Sequence, residues 1–172
     1  MKFFIKQKVI TWRDSFQILD EKKKPVYKVK GELVSIGHKL HIYDMKGKEV
    51  ATIKEKIIKV MPKYQILTEK KKEFWVTKKI TLVNEKFKVE PVDWLIDGGI
   101  LEHNYSIKNG KKTIAKVHQK WISIGDSYII DIEDEKVDPI VVLATMICVD
   151  CVEFDRKEKE EKEKKARKGN DR

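Results

Sequence analysis

Residues 140–154 carry only two charges, Asp150 and Glu153, and are otherwise almost entirely apolar. Asp138 is a good N-cap before this stretch and Pro139 a good first helical residue. The segment therefore predicts a helix that is apolar on nearly every side. Such a helix must be enclosed, by protein or by lipid. A membrane span needs roughly 20 apolar residues. This stretch is shorter, its far end is interrupted by charge, and no basic flank precedes it. A helix wrapped by the rest of the chain is expected, with Asp150 near the mouth of the wrapping or paired with a base.

The wrapping has the rhythm of strands. Val26-Tyr27-Lys28-Val29-Lys30, Leu40-His41-Ile42-Tyr43-Asp44 and Val50-Ala51-Thr52-Ile53-Lys54 alternate apolar and polar residues. Similar runs at Tyr64, Phe74, Phe87, Tyr105, Ile114 and Tyr128 follow at intervals of about ten residues, the spacing of an antiparallel meander. Asp20, Asp44 and Asn109 each open a charged turn ahead of a strand, two of the three turns with glycine inside. A longer repeat lies above the turns. Val29, Ser35-Ile36-Gly37, Leu40 and Ile42 recur 88 positions later as Val117, Ser123-Ile124-Gly125, Tyr128 and Ile130. Two duplicated halves suit a closed barrel, because closure removes exposed edges. The expected fold is mainly β, a closed antiparallel barrel of about twelve strands around the C-terminal helix.

The 172 residues fit one domain, spanning 1–154 with the core helix at about 139–154. Residues 155–172 hold nothing apolar larger than Ala166, with nine basic and six acidic residues. They predict a charged, solvated helical extension fraying into disorder. The formal charge of +10 favours anionic partners. Two cysteines make no disulfide framework, and the chain opens with too short an apolar run for a signal peptide. A cytoplasmic location is expected.

Tyr27-Lys28-Val29-Lys30-Gly31, Gly47-Lys48-Glu49-Val50-Ala51-Thr52-Ile53 and the final Asp-Pro-apolar helix, in this order, resemble the LURP-one-related family. That family belongs with the phospholipid scramblases to the tubby C-terminal-like superfamily, and a small Bacillus-type member is especially similar. The resemblance covers residues 1–154. It implies a twelve-stranded barrel around a central apolar helix. It implies no reaction. Tubby proteins bind phosphoinositides and scramblases act at membranes with calcium. The tubby lipid-binding motif has no match here, and the Pro-rich and Cys-rich N-terminal segments of scramblases are absent.

Each remaining constellation has a plainer reading. Cys148-Val149-Asp150-Cys151 falls deep in the apolar helix, where thiols are structural, not redox-active. His38, His41, His103 and His118 are scattered and read as surface or strand-rim residues without an assignable carboxylate. Asp131, Glu133, Asp134, Glu135 and Asp138 lack the order of a calcium loop and read as a solvated turn. Asp97-Gly98-Gly99 reads as a turn, not a phosphate cradle. Trp12, Trp75, Trp94 and Trp121 read as core or strand anchors. No catalytic residue, metal site or cofactor is expected.

What remains is lysine. Lys22-Lys23-Lys24, Lys70-Lys71-Lys72, Lys78-Lys79, and Lys54 and Lys56 with Lys59 and Lys63 cluster around four connections. Each lysine near an anionic leaflet is worth about 1 kcal/mol, although turn lysines also keep strand edges apart. The expected role is a non-enzymatic binding or scaffold module. Its basic rim, Lys22, Lys23, Lys24, Lys54, Lys56, Lys70, Lys71 and Lys72, would touch anionic phospholipid head groups, placing the protein peripherally at a membrane, or a protein partner. The alternatives are a scramblase-like or otherwise cryptic enzyme with a site at the barrel mouth near Asp150, and nucleic-acid binding, which the aromatic pattern disfavours.

Overall fold

The computed structural model describes residues 1–7, 10–32, 37–56, 63–79, 81–82, 85–100, 102–120 and 127–170. Ser35-Ile36, Ser123-Ile124-Gly125, Trp121 and Lys59 lie outside the described residues. Twelve strands precede one helix: β1 (Lys2–Ile5), β2 (Ser15–Leu19), β3 (Pro25–Glu32), β4 (Lys39–Asp44), β5 (Glu49–Lys56), β6 (Lys63–Thr68), β7 (Glu73–Lys79), β8 (Lys86–Glu90), β9 (Trp94–Gly99), β10 (Asn104–Asn109), β11 (Lys112–Lys120), β12 (Ser127–Ile132) and α1 (Pro139–Asn170). Each strand pairs antiparallel with its sequence neighbours, and β1 closes the barrel by pairing with β12.

The duplication shows in the register. Val29 pairs with Ile42 across β3 and β4, and Val117 pairs with Ile130 across β11 and β12. These are the same two positions shifted by 88. Both pairs point inward and are fully buried.

Alternation along the strands sends one set of side chains to the barrel interior, where the helix lies. Val142, Leu143, Met146 and Ile147 are completely buried, against β5, β6, β7 and β12 among other walls. Burying one such side chain contributes about 1.5–3 kcal/mol. The helix begins as its sequence predicts: Asp138 Oδ1 accepts a hydrogen bond from the Ile140 amide at 3.0 Å. No helix among the described residues is long and apolar enough to cross a membrane.

Past Phe154 the helix continues to Asn170, with residues 158–168 exposed. Helix-forming Lys and Glu residues dominate there, and ion pairs one turn apart join Arg156 to Glu160 and Glu158 to Lys162.

Because the meander alternates ends, the turns at 20–24, 45–48, 69–72, 91–93 and 110–111 share the end where the helix enters. Residues 10–14, 37–38 and 102–103 share the end where it leaves. Asp97-Gly98-Gly99, expected to be a turn, instead finishes β9 and pairs with β10. The chain turns only after Gly99.

Candidate functional site: hairpin tips and barrel mouth

Three hairpin tips at the helix-entry end share one geometry. Asp20, Asp44 and Thr68 each donate their amide to a carbonyl four residues on and accept at their own carbonyl from the amide three residues on. Asp20 Oδ1 also accepts from the Lys22 and Lys24 amides, and Asp44 Oδ1 from those of Lys46 and Lys48, at 2.8–2.9 Å. The residue three positions on is left-handed in each: Lys23 at φ 61°, Gly47 at φ 85° and Lys71 at φ 57°. Glycine adopts that conformation freely, while another residue pays roughly 1–2 kcal/mol. Two of three equivalent tips thus carry lysine where the third carries glycine. The Asn109 turn is one residue shorter and differs: its side-chain amide donates to the Val92 carbonyl at 3.3 Å.

The predicted lysines do not form one patch. Lys22, Lys23, Lys24, Lys70, Lys71 and Lys72 stand at the entry end. Lys54 and Lys56 lie toward the opposite end of β5. Lys22, Lys24, Lys71 and Lys72 are exposed and form no ion pair among the described residues. Lys70 reaches Asp138 at 3.9 Å, and the Lys23 ammonium lies over the Phe4 ring.

The acidic turn is neutralised piecewise. Asp131 faces Lys2 at 3.6 Å, Glu133 faces Lys116 and Asp134 faces Lys112, both at 2.6 Å. The two thiols, Cys148 and Cys151, are fully buried, and burial pushes both well above the ordinary thiol range.

His118 is exposed and contacts Asn104 Oδ1 at 3.1 Å, and His38 and His41 lie at the surface as expected, but His38, His41 and His103 each meet carboxylates distant in sequence. His41 lies between Glu32 at 2.6 Å and Glu49 at 2.8 Å on the outer wall. His103 is mostly buried, with Nδ1 3.6 Å from Asp150 Oδ1 and 3.3 Å from the Tyr128 hydroxyl. Tyr105 donates to Asp150 Oδ1 at 3.2 Å, while Oδ2 is buried and completes no hydrogen bond of good geometry among the described residues. Burial raises the Asp150 pKa, and His103 and the two tyrosines pull it back without cancelling the rise. Glu153, one turn on and equally buried, is held by Lys78 and Arg156, each at 3.0 Å.

On another side of the exiting helix lies a cleft of about 460 Å³ that the sequence did not reveal. Its floor is Trp12, which lies in the loop before β2 and is buried in the core, as expected. The indole is stacked between His38, with ring centres 5.3 Å apart, and Tyr64 at 5.6 Å. Gly31 makes the placement possible. A Cβ there would lie 2.2 Å from the Trp12 carbonyl oxygen, and the Gly31 amide donates to the Asp14 carbonyl at 2.9 Å. His38 Nδ1 stands 2.8 Å from Glu55 and 3.6 Å from Asp155. Burial raises the Asp155 pKa, opposed by His38 and by the nearby Trp12 N–H. That N–H is buried and completes no hydrogen bond of good geometry.

The comparisons agree with this architecture. A solved protein from Arabidopsis thaliana superposes with a TM-score of 0.62 at 17% identity, over 88% of this chain and 90% of that one. At that identity the likeness speaks to fold alone. The uncharacterized protein YxjI of Bacillus subtilis (strain 168) is 31% identical over 150 residues, 87% of this chain and 92% of the relative. The family model described as LURP-one-related matches residues 1–150. The chain belongs to the LURP-one-related family.

Proposed function

We propose that the protein is a non-enzymatic binding module that attaches reversibly to anionic phospholipid surfaces through the hairpin tips at the helix-entry end. The observation that carries this reading is the set Lys22, Lys24, Lys71 and Lys72, exposed at one end of the barrel and free of ion pairs among the described residues. At about 1 kcal/mol each, four lysines give roughly 4 kcal/mol, a weak and salt-sensitive attachment. The left-handed lysines support it further. Lys23 and Lys71 hold strained positions where glycine serves at Gly47, and strain of this kind marks functional segments. Lys54 and Lys56 do not belong to this face. A cytoplasmic location, peripheral at the membrane, accompanies the proposal.

An enzyme at the barrel mouth is the weaker reading, because Asp150 is engaged by Tyr105 and faces His103. Co-sedimentation with vesicles of phosphatidylcholine, alone and with phosphatidylserine or a phosphoinositide, tests the proposal. Binding that needs anionic lipid and falls with salt is expected. Equal, negligible binding to all three compositions overturns it.

A further inference from the structure

We propose that the cleft beside Trp12 is a second binding site, for a small soluble anion: a phosphate or carboxylate group on an apolar or aromatic body. It lies at the helix-exit end, away from the lysine tips, and stands independently of the lipid reading.

The first argument is a poorly met donor. Trp12 is 2% exposed and lines the cleft, and its N–H faces the Asp155 carboxylate without completing a hydrogen bond of good geometry among the described residues. A buried donor met at poor geometry recovers part of its desolvation cost when a better-placed acceptor enters. The indole cannot swing away, because His38 and Tyr64 stack on it.

The second argument is unspent charge. Arg13 and Lys159 line the cleft, and neither has a carboxylate partner among the described residues. The guanidinium fork of Arg13 matches phosphate or carboxylate geometry, and Lys159 adds a point charge. The opposing acids have partners of their own: Asp155 faces the Trp12 N–H and lies 3.6 Å from His38, which it shares with Glu55, and Glu158 pairs with Lys162 at 3.3 Å. Phe154, half-buried at the cleft wall, offers an apolar edge to the body of the ligand. The volume, about 460 Å³, lies within the usual range of small-molecule sites.

The test is an NMR titration of the full chain carrying ¹⁵N-labelled tryptophan, with the Trp12 indole signal assigned through Trp12→Phe. The probes are phenyl phosphate, inorganic phosphate, sodium chloride at matched ionic strength, and phosphatidylserine vesicles. The Trp12 signal should shift and saturate with phenyl phosphate, more weakly with phosphate, and not with chloride. Arg13→Gln and Lys159→Gln, both on exposed side chains, should each weaken phenyl phosphate binding about tenfold, the scale of one charge-assisted hydrogen bond. Calorimetric titration of these two variants gives the same answer should Trp12→Phe fail to fold. No saturable shift, a shift seen only with vesicles, or affinity unchanged in both variants overturns the site.

Discussion

The Tyr105 hydroxyl donates a hydrogen bond to Asp150 Oδ1 at 3.2 Å, joining a barrel wall to a carboxylate on the enclosed helix. Asp150 is 2% exposed, and burial keeps its pKa above the usual carboxylate value. The raised pKa means that the folded state favours the protonated form. Its contribution to stability is complete below the ordinary Asp range, near pH 3.9, and is lost as pH rises through the folded value.

Asp150→Asn cannot ionise but keeps an acceptor for Tyr105. The variant should therefore gain on the parent as pH rises from about 4 to 8. An advantage of about 1 kcal/mol would appear as roughly 2–4 °C in Tm. Thermal denaturation across that pH range checks it. A difference that is flat or shrinks with pH contradicts the argument.

Lys71 occupies a left-handed position at φ 57° with an exposed side chain. Lys71→Gly removes the steric cost, about 1–2 kcal/mol, and adds back the greater chain entropy of glycine, about 0.5–1 kcal/mol. A net gain of about 0.5–1 kcal/mol in urea unfolding is expected, while Lys71→Val loses stability. The same glycine variant should bind anionic vesicles less well than the parent.

Gly31 is the close contact that seats the Trp12 loop against β3. Gly31→Ala forces a methyl group into the Trp12 carbonyl, so backbone must move. A loss of about 1–3 kcal/mol is expected, the scale of overpacking. Near-ultraviolet circular dichroism should show the Trp12 environment changed. An unaffected unfolding midpoint would show that the loop is not packed this way.

Much of the fold could be read from the sequence, because closed meanders and enclosed helices obey local rules. Asp138 caps the helix as its side chain predicts, and the 88-residue offset reappears in the pairing of Val29 with Ile42 and Val117 with Ile130. The Thr68 tip was harder to see. A hydroxyl replaces the aspartate and lysine replaces glycine, which removes both turn signals while the backbone stays the same. Which lysines share an end follows from the parity of the meander, so the separation of Lys54 and Lys56 from the tips needed the strand count. The Trp12 cleft was invisible for another reason. Trp12, His38, Tyr64 and Asp155 come from four separate segments, and no spacing rule connects them.

Residues 158–168 of the helix are exposed, and we propose that the folded unit ends soon after residue 154. Deleting residues 164–172 keeps the Arg156–Glu160 and Glu158–Lys162 pairs. Stability should change by less than about 0.5 kcal/mol in equilibrium denaturation. A larger loss would place part of the tail in the folded unit.

The most direct measurement compares two quadruple variants for binding to phosphatidylserine vesicles. One replaces Lys22, Lys24, Lys71 and Lys72 with glutamine. The other makes the same change in net charge at Lys56, Lys63, Lys79 and Lys120, exposed strand residues at the opposite end of the barrel. The proposed function predicts that the tip variant loses vesicle binding while the strand variant keeps most of it. Equal loss in both would reduce the effect to net charge, and retained binding by the tip variant would contradict the assignment.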